Sequence, residues 1–225
     1  MKYTMLNMIM LRHVSPFTYS KKNVLVFFIV SVIEIAITLS PAITLSYLSF
    51  DESFLLVFIA NFLIALFVYF FYLRSVDGFK ITPMTNVSSL IFSAIVLLII
   101  LLVQYAICVY RESLYHYEPA QINLIAFMVA SFVVPYYEEI IYRGCIFGCL
   151  YSVFNKSYVI PCILTSLIFC LMHGQYYNVL DQAILFMISI LLLMVRIKSR
   201  GLFYPIAIHS CMNVFVLSSN YLSGF

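Results

Sequence analysis

Long unbroken apolar runs, separated by short polar joints, occupy most of the chain. They cover residues 24–48, 54–73, 87–110, 122–154, 159–173, 180–197 and 202–217. Most are about 20 residues long, the length a helix needs to cross a hydrocarbon core of about 30 Å. Apolar side chains fill successive positions rather than alternate ones, which selects helices over barrel strands. The pattern predicts an all-α fold: a polytopic transmembrane helix bundle of about seven spans, with six to eight as the range. The fourth run exceeds one simple crossing, and Pro135 within it is predicted to kink or restart the helix. An eighth crossing hidden there is the alternative. The fifth and seventh runs are short.

The polar joints set an orientation. Lys2, Arg12, Lys21 and Lys22 precede the first run, Arg74 and Lys80 follow the second, Lys156 follows the fourth, and Arg196, Lys198 and Arg200 follow the sixth. The alternate joints carry Asp51, Glu52, Glu112, Glu118 and Asp181, with Arg111 as their one basic residue. The bias of lysine and arginine toward one side predicts a cytoplasmic N-terminus in a multi-pass protein of the cell membrane. Residues 1–23 read as a cytoplasmic segment and 24–225 as a single membrane domain. No cleavable signal is predicted, because no small-residue cleavage site follows a short apolar core.

Composition agrees with this reading. The chain is 64% hydrophobic and 9% charged, against about half and about a quarter for soluble domains. Its formal charge of +3 gives no reason to expect a nucleic-acid partner. The six cysteines all lie in or beside apolar runs and form no Cys-x-x-Cys pair. They read as small buried hydrophobes rather than as a thiolate site.

A few polar residues interrupt the runs: Glu34, Glu138, Glu139, Arg143, His173, His209 and Asn213. An ionisable group at mid-bilayer costs roughly 2.5–3.5 kcal/mol on insertion scales, and it normally faces a bundle interior or a water-filled cavity. Adjacent helical residues diverge by about 100°, so Glu138 and Glu139 point in different directions. Glu139 and Arg143, four apart, share a face and can form an ion pair. Glu138 is then left to act as a base, or the group as a whole is a salt bridge locking helices. His173, just before Gly174, is either a satisfied core histidine or a ligand for water or metal. Gly174 either ends its helix or permits a close approach. His209 and Asn213, four apart, can aim at one point as hydrogen-bond donors to a developing oxyanion. They can equally cross-link helices. Glu34 has no partner legible in the sequence. Gly144 and Gly148 suit close helix packing.

Taken in order, Glu138-Glu139-Ile-Ile-Tyr-Arg143, Phe169-Cys-Leu-Met-His173 and His209-Ser-Cys-Met-Asn213 match Glu-Glu-x-x-x-Arg, Phe-x-x-x-His and His-x-x-x-Asn. The set resembles the CAAX protease and bacteriocin-processing family, also called Abi proteins, over residues 120–217. The resemblance implies a membrane-embedded peptidase, with Glu138 activating water and His173 holding it. His209 and Asn213 would form the oxyanion hole, and Glu139 and Arg143 would support the site. The family is often labelled metalloprotease. Under that label Glu138, His173 and His209 are the candidate ligands for a divalent metal such as zinc, and the same three residues also suit metal-free chemistry. From its position in the fourth run, and from His209 on the order of 10 Å along the seventh, the cavity is expected to open to the cytoplasm.

Three functions follow. The first is an intramembrane endopeptidase acting on a peptide or protein substrate at the bilayer, in bacteriocin or pheromone processing or in self-immunity. The second is a non-catalytic immunity or signalling protein that binds a peptide or partner with the same fold. The third, a small transporter, lacks the paired half-repeats it would need. The absence of tryptophan beside 21 Phe and 18 Tyr fits an A+T-rich bacterial genome and favours a bacterial peptide precursor over a prenylated tail.

Overall fold

The computed structural model describes residues 17–83, 86–114, 123–154, 157–174 and 178–222. Lys2, Arg12, Glu118 and Lys156, used above for orientation, lie outside these residues. The described chain is helical: α1 (Lys21–Thr38), the single turn α2 (Pro41–Thr44), α3 (Phe50–Phe71), α4 (Val87–Leu114), α5 (Leu124–Val153), α6 (Val159–Met172), α7 (Val179–Ser199) and α8 (Phe203–Leu222). Five spans are long and apolar enough to cross a membrane, and α6 and α8 are shorter apolar helices. The result is an all-α membrane bundle.

Local signals explain several boundaries. The Ser20 hydroxyl caps α1, accepting from the Asn23 N–H at 3.2 Å. Ser49 and Glu52 form a reciprocal capping box at the start of α3, satisfying donors that the first turn leaves unpaired. The first apolar run does not stay one helix. It turns at Leu39–Ser40, and Pro41 restarts it as α2. α7 runs to Ser199, so Arg196 is not the loop residue the sequence suggested. It is fully buried, with its guanidinium 4.7 Å from the Phe17 ring centre and 4.9 Å from that of Phe147. The Tyr19 hydroxyl accepts from it at 3.1 Å.

α5 organises the fold. Its most apolar stretch is 39% buried, against 17% for the spans built on α1, α3 and α4, so it lies at the centre while they face outward. Around it pack Phe27 and Val30 of α1, Ala65 of α3, Phe79 of the following loop and Phe169 of α6. A second cluster joins Val96 and Ile100 of α4 to Ile188 and Leu192 of α7 and Ile208 and Met212 of α8. The helix does not break at Pro135. A π-helical turn over Val129–Val133 comes immediately before it, where the proline ring would otherwise press on an α-helical carbonyl one turn back. A second π segment covers Glu139–Ile146, and every residue of it is buried. The described residues of the fourth run form one continuous span, Leu124–Val153, rather than two crossings.

The two glycines of this region act as expected. A Cβ on Gly144 would come within 2.5 Å of the Phe79 ring, and one on Gly148 within 2.8 Å of the Phe27 ring. They admit aromatic rings from α1 and from the loop after α3, bringing both against α5. Gly174 differs: a Cβ there would meet nothing within 4 Å, so it serves the end of α6 rather than a close approach. Cys145, Cys162 and Cys170 are buried, whereas Cys211 is exposed, contrary to the reading of all six as interior residues.

Candidate active site

The polar groups singled out in the sequence come together where α5, α6 and α8 meet. Glu139 and Arg143 are both fully buried, with Nε of Arg143 3.3 Å from Oε2 of Glu139. The approach is not aligned as a hydrogen bond. The guanidinium instead lies over the Phe169 ring, 4.2 Å from its centre, a cation–π arrangement. The other Glu139 oxygen, Oε1, lies 2.8 Å from Nδ1 of His209. A carboxylate only accepts, so Nδ1 carries the hydrogen and His209 turns Nε2 toward Glu138, 3.9 Å from Oε2.

His173 reaches the same carboxylate from α6. Its backbone N–H bonds to the Cys170 carbonyl at 3.0 Å, closing the helix one residue early. The Phe169 carbonyl, in the last turn, is then met by the His173 ring, Nδ1 at 2.8 Å. That bond places the proton on Nδ1 and makes Nε2 the acceptor of the neutral ring. Nε2 lies 3.7 Å from Oε1 of Glu138. The Phe169 and His173 rings also pack together, centres 4.2 Å apart. The phenylalanine of this motif, given no role from sequence, thus touches both Arg143 and His173.

Asn213 is the exception. Its amide donates to the Ala130 carbonyl at 2.8 Å. Ala130 lies in the first π turn, where the altered register breaks the usual carbonyl pairing. One of the two amide hydrogens therefore joins α8 to α5, as the cross-linking alternative anticipated. The second remains available to the cavity that Asn213 lines.

That cavity has a volume of about 330 Å³ and is bounded by Glu138, His173, His209 and Asn213 together with apolar residues such as Ile107, Ile188 and Met212. It extends from Glu138 to the ion pair between Arg111 and Asp181. Its walls run from Arg143, Leu192 and His209, near the middle of the bundle, to Arg111, Asp181 and Leu217, at the end where α4, α6 and α8 finish and α5 and α7 begin. It therefore runs toward the end of the bundle that holds Asp51, Glu52 and Arg111, away from Lys21, Lys22, Arg74, Lys80 and Lys198. Glu138 sits near the middle of α5, and the direction of the cavity depends on which helix halves leave space, not on the depth of one carboxylate.

Three candidate metal ligands converge here. Among the described residues, however, no group of three or more His, Cys, Asp or Glu side chains is arranged to hold a metal ion. Glu138 lies 3.7 Å and 3.9 Å from the two imidazoles, a spacing that water can bridge.

Residues 120–215 match the family described as type II CAAX prenyl endopeptidase Rce1-like. The similarity to the Rce1-like family is carried by that region, somewhat under half of the chain. The match contains all three motifs and helices α5 to α7 entire, with most of α8; it leaves α1 to α4 outside. The family is one of proteases. A similar curated protein is an uncharacterised 24.3 kDa protein of Escherichia coli, 29% identical over 86 residues. That alignment takes in 38% of this chain and 40% of the relative, so it spans about two fifths of the relative's length. No solved structure matches the chain.

One residue of the matched region, Tyr142, escaped the sequence reading, and the partner of Glu34 was not legible there. Tyr142, between the motif glutamates and arginine, looked like one more aromatic residue in a membrane run. Glu34 lies before the matched region. The hydroxyl of Tyr142 donates to Oε1 of Glu34 at 3.0 Å. A tyrosine four residues after a buried glutamate is the one sequence signal that pointed there.

Proposed function

We propose that the protein is an intramembrane endopeptidase that hydrolyses a peptide or protein precursor with water activated by Glu138. One observation carries the reading: a buried carboxylate at a cavity wall, faced by two imidazoles at distances that leave room for a reactant. Both rings are pre-set by bonds to their far nitrogens.

In this mechanism water sits between Glu138 and His173. Nε2 of His173 accepts a hydrogen bond from one O–H, which stays intact, and Glu138 takes the other proton as the oxygen attacks the peptide carbonyl. The carbonyl oxygen becomes an oxyanion, met by the remaining Asn213 N–H and by Nε2 of His209. Donation from Nε2 requires the doubly protonated ring. Glu138 then returns its proton to the amine as the C–N bond breaks. Glu139 orients His209, and Arg143 offsets the charge of Glu139.

The basic residues support a cytoplasmic N-terminus in the cell membrane, in which case the cavity opens on the opposite face. A bacterial peptide precursor, as in bacteriocin or pheromone processing, is the substrate class we favour. The test compares peptides released by wild-type cells with those from a Glu138→Ala strain containing equal amounts of folded protein. A precursor accumulating uncut in the mutant is expected, with cleavage reduced on the order of a thousandfold. Identical peptide profiles would sink the assignment.

A further inference from the structure

Glu34 is 1% exposed, on a helix outside the matched region, and is not used in the mechanism above. It is nonetheless connected to the site. The Thr38 hydroxyl donates to Glu34 Oε1 at 3.1 Å, and the Asn61 amide donates to Thr38 at 3.4 Å. Tyr142 completes the set from α5 at 3.0 Å. One carboxylate oxygen thus joins α1, α3 and α5, while Oε2 is buried with no hydrogen bond among the described residues.

The contacts continue from Tyr142. Its ring meets Phe169 edge-on, centres 5.1 Å apart at 87°. Phe169 carries Arg143 on its face, packs against the His173 ring and accepts the His173 Nδ1–H through its carbonyl. Tyr142 is also one helical turn after Glu138, so its rotation is tied to that of the base. A tyrosine hydroxyl held by a buried carboxylate cannot swing without costing that carboxylate one of its two hydroxyl donors, which is expensive in an apolar interior.

We infer that Glu34 is a positioning residue for hydrolysis: through Tyr142 and Phe169 it sets the His173 imidazole against Glu138. The inference rests on the reading above, in which His173 orients the water. It gives the N-terminal helices a function beyond anchoring, because the geometry of the matched region is completed by a residue outside it.

The test uses the full chain in micelles, with Tyr142→Phe, Glu34→Leu and Glu34→Gln variants and the Tyr142→Phe/Glu34→Leu double. Cleavage is followed on a quenched fluorogenic pool of apolar decapeptides. Nitrogen NMR of histidine-labelled protein reads the His173 ring, its signal assigned by loss in His173→Gln. Tyr142→Phe and Glu34→Leu should each shift the His173 signal. Each should lower kcat on the order of tenfold with KM little changed, because small misplacements in a reacting site are expensive. The double variant should be no worse than either single. Glu34→Gln keeps an acceptor oxygen and should restore most of kcat. An unmoved His173 signal, additive losses, or Gln no better than Leu would overturn the inference. Should Glu34→Leu not fold, Tyr142→Phe alone decides it, since it removes only a hydroxyl. The failure of the peptidase reading looks different: Glu138→Ala would cleave like wild type while the His173 signal still reports on Glu34.

Discussion

Two buried carboxylates in apolar helices, Glu34 on α1 and Glu138 on α5, are handled in opposite ways. Glu34 receives hydroxyls directly, at 3.0 and 3.1 Å from Tyr142 and Thr38. Glu138 is approached by His173 and His209 but bonded by neither, at 3.7 and 3.9 Å, and it borders a cavity. Direct bonds hold a group in place, whereas a gap between polar groups leaves space for something to react. A charged residue in a membrane helix is therefore not diagnostic alone; the distance to its neighbours separates support from chemistry. Glu139 belongs with Glu34 on this criterion, since His209 lies 2.8 Å from it and Arg143 3.3 Å.

The contrast can be broken at the supporting side first. Arg143→Met leaves the Glu139 charge buried without its cation and should destabilise the protein by about 3–5 kcal/mol. Thermal unfolding in detergent would measure this. Restoring neutrality in the Glu139→Gln/Arg143→Met double should recover much of the loss, and no recovery would mean that the arginine acts mainly by packing on Phe169. At the reacting side, His209→Phe should slow cleavage on the order of a hundredfold with a smaller stability change, since it removes a donor to the developing charge. A His209→Phe enzyme of normal rate would remove that residue from the reaction. The smallest effect is steric. Gly144→Leu forces a side chain into the Phe79 ring and should cost about 1–3 kcal/mol, with residual activity in the folded fraction. A neutral result would show that the loop after α3 moves without disturbing Glu138.

Much was legible in the chain because the bilayer imposes simple demands. Apolar runs of helical length had to be spans, and Glu139 with Arg143 had to share a face because they are four residues apart. The three motifs could be read in order for the same reason, since each is a spacing within one helix. The π turns were not legible. Pro135 announced a disturbance but not that the helix would absorb it as a π turn, and nothing in the run announced the second register shift across Glu139–Ile146. Nor could the sequence show that Asn213 would give one amide hydrogen to Ala130, because that carbonyl is freed only by the π turn.

The sequence by itself determined a helical membrane bundle, the Glu139–Arg143 pairing and the short set of polar residues able to do chemistry. These follow from hydropathy and from helical periodicity, which act within a span. Tertiary structure alone decided that Glu138 would face two imidazoles across a gap, that Glu34 would hold Tyr142 from another helix, and that the cavity would run away from the basic loops. Those outcomes depend on how separate helices are rotated and splayed against each other, and contacts between distant segments leave no periodic mark in either one.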